Sequence, residues 1–145
     1  MGLHGALILP PGQVPLTLNV NTAATIKDAL QVSGNGTATT TANADLVRGD
    51  GADNTLQGGD GPDILRGGAG NDELVFDAGD LLVDGGSGTD TIRLTTSLDL
   101  QNVDDGLIQN VERIDLSQAA GNIAVTLLAS DVAAVNDDKT VTIDG

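Results

Sequence analysis

Asp63, Asp72 and Asp90 stand nine and then eighteen residues apart, each closing a Gly-Gly-x-Gly-x-Asp hexapeptide: GGDGPD (58–63), GGAGND (67–72) and GGSGTD (85–90). A carboxylate offers oxygen to a hard cation, and calcium takes six to eight such ligands, carbonyls and carboxylates alike. Glycines let a turn adopt positive φ and aim its carbonyls at a common centre. Oxygen-only metal coordination is therefore the chemistry this spacing suits.

The hexapeptides belong to a longer phrase. GGDGPDILR (58–66), GGAGNDELV (67–75) and GGSGTDTIR (85–93) all fit G-G-x-G-x-D-x-U-x, with U a large apolar residue, a calcium-binding pattern of parallel β-helices. The third copy starts 27 residues after the first, so 76–84 is a worn repeat, and GDGADNTLQ (49–57) and TTANADLVR (40–48) extend the series backwards. The U position then reads Val47, Leu56, Leu65, Leu74, Val83 and Ile92 without a break, in a chain that is 39% hydrophobic.

These residues resemble the RTX (repeats-in-toxin, haemolysin-type calcium-binding) family of secreted bacterial proteins over residues 40–93. GTDTIRL (88–94) followed by GLIQNVERIDL (106–116) also looks like the region after the repeats in large RTX adhesins. The resemblance implies an all-β fold, a parallel β-roll or β-solenoid. It also implies export through a type I channel with an uncleaved C-terminal signal, which VTIDG (141–145) loosely resembles.

A six-residue turn and a three-residue strand make half a coil, so two nonapeptides should complete one coil of 18 residues. U points inward and its two neighbours outward. Stacking each turn on the next but one predicts four slots. The 67–72 turn over 85–90 is intact on both sides. The 49–54 turn over 67–72 keeps an oxygen through Asn54. The 40–45 turn over 58–63 has both carboxylates, Asp45 and Asp63, but no glycine in its first turn. The 58–63 turn over 76–81 has Leu81 where aspartate belongs, with Asp77 or Asp80 as substitutes. The candidate ligands, through side chain or main-chain carbonyl, are Asp45, Asn54, Gly58, Asp60, Asp63, Gly67, Ala69, Asn71, Asp72, Asp77, Asp80, Gly85, Ser87 and Asp90. Two to four calcium ions are expected. Asp50, Asp53 and Asp60 also suit solvated turns.

Composition narrows the rest. Phe76 is the sole aromatic of 145 residues, so stability must come from stacked aliphatics, backbone ladders and metal. Of a net charge of −15, residues 40–93 hold 11 acids against three arginines. That repulsion predicts a metal-free segment that is largely disordered, with binding coupled to folding. So acidic a surface also argues against nucleic acid. His4 is the one histidine, cysteine is absent, and no HExxH, GxSxG or P-loop occurs, so no enzyme is expected. The start, MGLHGALILPPGQ, lacks a positive n-region and reads as neither secretory signal nor membrane span.

The elements that must position the ligands divide into three: 1–39 an N-terminal β-rich, linker or docking segment, 40–93 the roll, and 94–145 a continuation or cap with irregular β flanks. Residues 14–20 alternate like a strand, and 23–32 suit a short helix. Strand-like islands follow at 97–100, 111–116, 123–127 and 140–143, with a possible helix at 127–135. Leu46, Ile64 and Leu82 should form an apolar column outside one sheet, while the matching outward column on the other, Thr55, Glu73 and Thr91, suits water. Such a column suggests a cover, from this chain or a neighbour. Two functions fit: an extracellular calcium-folded subunit that polymerises into a filament, surface lattice or matrix, with possible cell-surface contact, or the calcium-folding, type I secretion module of a larger adhesin, toxin or enzyme.

Overall fold

The computed structural model describes residues 7–8, 16–17, 29–40, 42, 44–102, 106–126, 135 and 140–145. In chain order the strands are β1 (Leu7–Ile8), β2 (Leu16–Thr17), β3 (Ala29–Gln31), β4 (Thr37–Thr39), β5 (Leu46–Arg48), β6 (Thr55–Gln57), β7 (Ile64–Ala69) and β8 (Glu73–Phe76). They continue with β9 (Leu82–Ser87), β10 (Thr91–Leu94), β11 (Leu98–Asp99), β12 (Ile108–Gln109), β13 (Arg113–Asp115), β14 (Val125–Thr126) and β15 (Thr142–Asp144).

From β1 to β10 successive strands alternate between two parallel sheets, ordered β1-β3-β5-β7-β9-β12 and β15-β13-β10-β8-β6-β4-β2. This is a β-solenoid, an RTX-like β-roll. The coil is 18 residues long through the whole nonapeptide series, worn repeats included: Val47 pairs with Leu65 and Leu65 with Val83, while Leu56 pairs with Leu74 and Leu74 with Ile92. Because side chains alternate along a strand, each central residue faces the other sheet. Val47, Leu56, Leu65, Leu74, Val83 and Ile92 are all 0% exposed. The core is thus built on two aliphatic columns, joined by the one aromatic, Phe76, which is 2% exposed and pairs with Leu94.

The stack runs beyond both ends of the nonapeptides. Leu30 on β3 and Ala38 on β4 pair with Val47 and Leu56 and share the same buried columns. Over Ala29–Gln31 the chain is therefore strand, not helix: a parallel ladder with β5 outweighs local helix propensity there. Beyond β10 the coil lengthens, Ile92 facing Ile114 and Ile114 facing Ile143. The extra chain holds a 3-10 turn (Leu100–Asn102) and a separate two-stranded parallel sheet, β11 with β14. The islands expected after residue 94 thus hold β11, β13, β14 and β15. Of the helix expected at 127–135, only buried Val135 falls within the described residues. The strand expected at 14–20 is described at β2, which pairs with this chain's own β4; its other residues lie outside the described ones.

Leu46, Ile64 and Leu82 do stand in register beside one another on one sheet, and all three are half-buried. Across the roll, Thr55, Glu73 and Thr91 form the matching row, where Glu73 meets Arg93 at 2.8 Å. Among the described residues no helix is long and apolar enough to cross a membrane.

Candidate metal centre

Each ligand aspartate stands two residues before an inward apolar residue: Asp63 before Leu65, Asp72 before Leu74, Asp90 before Ile92. A period of two sends the carboxylate the same way as the aliphatic, into the roll at its margin. Asp63, Asp72 and Asp90 are 0%, 2% and 0% exposed. One oxygen of each is held by the coil before it. Asp45 N–H donates to Asp63 Oδ1 at 2.8 Å, Asn54 N–H to Asp72 Oδ1 at 2.7 Å, and Asp72 N–H to Asp90 Oδ1 at 2.8 Å. The other oxygen, Oδ2 of Asp63, Asp72 and Asp90, is buried with no hydrogen-bond partner. A buried carboxylate oxygen without a donor is strongly destabilising, and a bound cation removes that penalty.

The carbonyls are close by. Within the intact turns, Gly68, Gly70, Gly86 and Gly88 have positive φ and reverse the chain. The leading glycine is needed for space instead. A Cβ on Gly67 would lie 2.3 Å from Gly85 O and 2.4 Å from Asp72 Oδ2, so carbonyl and carboxylate oxygens crowd one point. Among the described residues no three acidic or imidazole side chains converge. The centre is instead built from one buried carboxylate per coil and main-chain oxygens, a donor set suited to calcium rather than to zinc. The residues fit calcium: Asp72, Asp90 and the carbonyls about Gly67 and Gly85 would hold it, and the ion would supply the missing charge between coils.

Burial pushes the carboxyls of Asp63, Asp72 and Asp90 up to about 6, and that of Asp80 up to about 7. Neighbouring acids add to the rise, Asp45 and Asp77 at Asp63 and Asp77 at Asp80. At neutral pH such groups accept a cation readily.

The remaining sequence candidates fall into three environments. Asn54, 3% exposed, is engaged at both ends of its amide, Oδ1 accepting from Asp50 N–H at 2.9 Å and Nδ2 donating to Gly34 O at 2.5 Å. Gly58 O accepts the Thr40 hydroxyl, so a side-chain oxygen stands where the first turn lacks glycine. Asp45 lies half-buried at the same margin. Asn71 and Asp60 are exposed at the rim, where Asn71 N–H donates to Asp53 Oδ1 at 2.8 Å and Thr89 N–H to Asn71 Oδ1 at 2.9 Å. That outer ladder was not foreseen from the sequence. Ala69 and Ser87 pair as strand residues, with Ser87 O accepting from Gly70 N–H at 3.0 Å.

The worn repeat resolves differently from its alignment. Leu81, at the aspartate position, is turned out and 56% exposed, while Asp80 is 7% exposed. Asp77 N–H donates to Asp80 Oδ2 at 3.0 Å, and Gly79 N–H bonds Asp77 Oδ1. A tight turn slips the carboxylate inward by one residue, so the slot over Asp63 has an acid after all. Sequence reasoning also passed over Glu112, whose Oε2 accepts Asp90 N–H at 2.7 Å. The signal was present: Glu112 stands two residues before Ile114, as Asp90 does before Ile92.

Stacked carboxylates at an 18-residue interval, each with a bare oxygen, are what the comparison with known families meets. The model described as RTX calcium-binding nonapeptide repeat (4 copies) matches residues 33–61 and 48–80. Residues 33–80 are RTX calcium-binding repeats. RTX repeats bind calcium, and proteins that contain them are typically secreted or extracellular. No curated protein and no solved structure matches the chain. The RTX match ends before the third intact nonapeptide, yet the roll does not: 85–90 repeats the geometry of 67–72 down to the bare Oδ2.

Proposed function

We propose that this calcium-binding β-roll is an extracellular structural subunit without catalytic activity, which folds when it meets calcium and then stacks end to end into a filament or lattice. The carrying observation is the bare buried Oδ2 of Asp63, Asp72 and Asp90. Three desolvated carboxylates, in a roll whose core is two narrow aliphatic columns, favour a fold that waits for its cation. Extracellular calcium is abundant enough to fill weak sites, so folding would follow export.

The ends support stacking. Among the described residues β15 and β2 stand at the two ends of one sheet, and a strand edge is a template for another chain. Ile143 occupies the inward column on β15 but is 47% exposed, whereas Ile114 beside it is 1% exposed. A second copy adding its own coil there would cover Ile143, and a head-to-tail contact that does not close gives filaments. Because β2 pairs with β4 in the same chain, such a contact would join coil ends rather than insert a free N-terminal arm. Sedimentation velocity with and without calcium tests the reading. Calcium-dependent polymers that Ile143→Lys abolishes, with calcium-induced folding retained, support the subunit. A compact calcium-bound monomer at every concentration points to a module of a larger secreted protein instead.

A further inference from the structure

The nonapeptide pattern stops at Arg93, yet the next coil rebuilds the same margin from different residues. Two features of the intact slot recur. Where Asp72 N–H donates to Asp90, Asp90 N–H donates in turn to Glu112 Oε2 at 2.7 Å. Where Gly85 O crowds the point beside Gly67, Asn110 O crowds the point beside Gly85: a Cβ there would lie 2.1 Å from Asn110 O and 2.7 Å from Asp90 Oδ2. Asp90 is 0% exposed and that Oδ2 has no hydrogen-bond partner.

The substitutions compensate one another. From the inward Val83 to the inward Ile92 the chain advances nine residues, but from Ile108, which pairs with Val83, to Ile114, which pairs with Ile92, it advances only six. Asn110 makes the reversal with a φ of 52°, the one positive value at a non-glycine among the described residues. Its amide is fixed by Nδ2 donating to Asp84 Oδ1 at 2.7 Å. Glu112 stands two residues before the inward Ile114, as Asp90 does before Ile92, and across this shorter connection its side chain, one methylene longer than aspartate, reaches the Asp90 amide.

We propose that Asp90, the Asn110 carbonyl and Glu112 form one more calcium site, outside the nonapeptide repeats, which ties the first coil of the C-terminal cap to the loaded roll. The inference rests on the calcium-binding reading of the repeats. Glu112 presents two carboxylate oxygens: one accepts the Asp90 amide, and the other faces calcium. The ion thereby couples β12 and β13 to β9 and β10, beyond what the strand ladder provides.

Carbon-13 NMR of the whole chain during a calcium titration tests this without a substitution. The Glu112 carboxylate and Asn110 carbonyl carbons should shift together with the Asp90 carboxylate. Glu112→Gln keeps an oxygen for the Asp90 amide but removes the charge. By calorimetry it should take up one calcium fewer than the parent chain, with hydrogen exchange at the β13 amides faster and that at β8 unchanged. A Glu112 signal that stays fixed while Asp72 and Asp90 titrate overturns the site, as does a Glu112→Gln chain with unchanged stoichiometry. Absence of calcium uptake by the parent chain would instead overturn the calcium reading itself.

Discussion

Asp72 and Asp90, 18 residues apart in sequence, are joined by a 2.8 Å hydrogen bond from the amide of the first to Oδ1 of the second, while Oδ2 of each is buried and bare. One oxygen sets the stacking of the coils and the other is left for the ion. Structure and binding therefore share a single carboxylate, and their energetics cannot be separated by mutation at that residue alone.

Removing calcium should unfold the repeats. Chelator is expected to abolish the β signal in circular dichroism, and calcium to restore it with a midpoint on the order of 10⁻⁴ to 10⁻³ M, as in extracellular calcium modules. A β signal indifferent to chelator would mean that the aliphatic columns suffice.

Asp72→Ala should raise that midpoint about tenfold or more, since it strands the Asn54 amide, a loss of roughly 1–3 kcal/mol, and removes a ligand between two coils. Asp90→Ala should act similarly, because Asp72 above it and Glu112 below it both lean on its turn. Asp80→Ala should do less and Asp60→Ala, exposed at the rim, nothing measurable. Equal midpoints for Asp72→Ala and Asp60→Ala would contradict the stacking of carboxylates.

Acid should have opposite effects with and without metal. In the metal-free roll Asp63, Asp72 and Asp90 titrate at about 6 and Asp80 at about 7, above the ordinary value of 3.8. The unfolded chain thus ionises first as pH rises, so this contribution is full below about 4 and lost through about 6–7. In chelator, the β signal should be larger at pH 5 than at pH 7.5. With calcium the same protons compete with the ion, so its midpoint should rise as pH falls below about 6. Dichroism at the two pH values reads both signs, and a shift in the same direction for both would refute the assignment.

The columns should respond as a close-packed core. Leu65→Ala, at a position 0% exposed, is expected to destabilise the calcium-loaded roll by about 2–5 kcal/mol. Leu81→Ala, at a side chain 56% exposed, should stay within about 0.5 kcal/mol of the parent. Urea unfolding at saturating calcium distinguishes them. A large loss at Leu81 would show that its neighbours pack on it.

The sequence alone determined the coil. A strict nine-residue period fixes which residue faces inward, since a one-residue slip would reverse every side chain, and so Val47 through Ile92 and the aspartates two residues before them were legible in advance. What the period could not reach were places where backbone length changes. Alignment puts Leu81 under Asp63, but a tight turn closed by the Asp77 amide brings Asp80 inside instead. Glu112 lies past the last nonapeptide, and only the ladder that seats β13 beside β10 places it under Asp90. Likewise β3 is strand because β5 offers it a parallel edge. Local periodicity encodes repeating contacts. Where a loop shortens or lengthens, the neighbouring coil decides which residue meets which, and that information exists only in the folded stack.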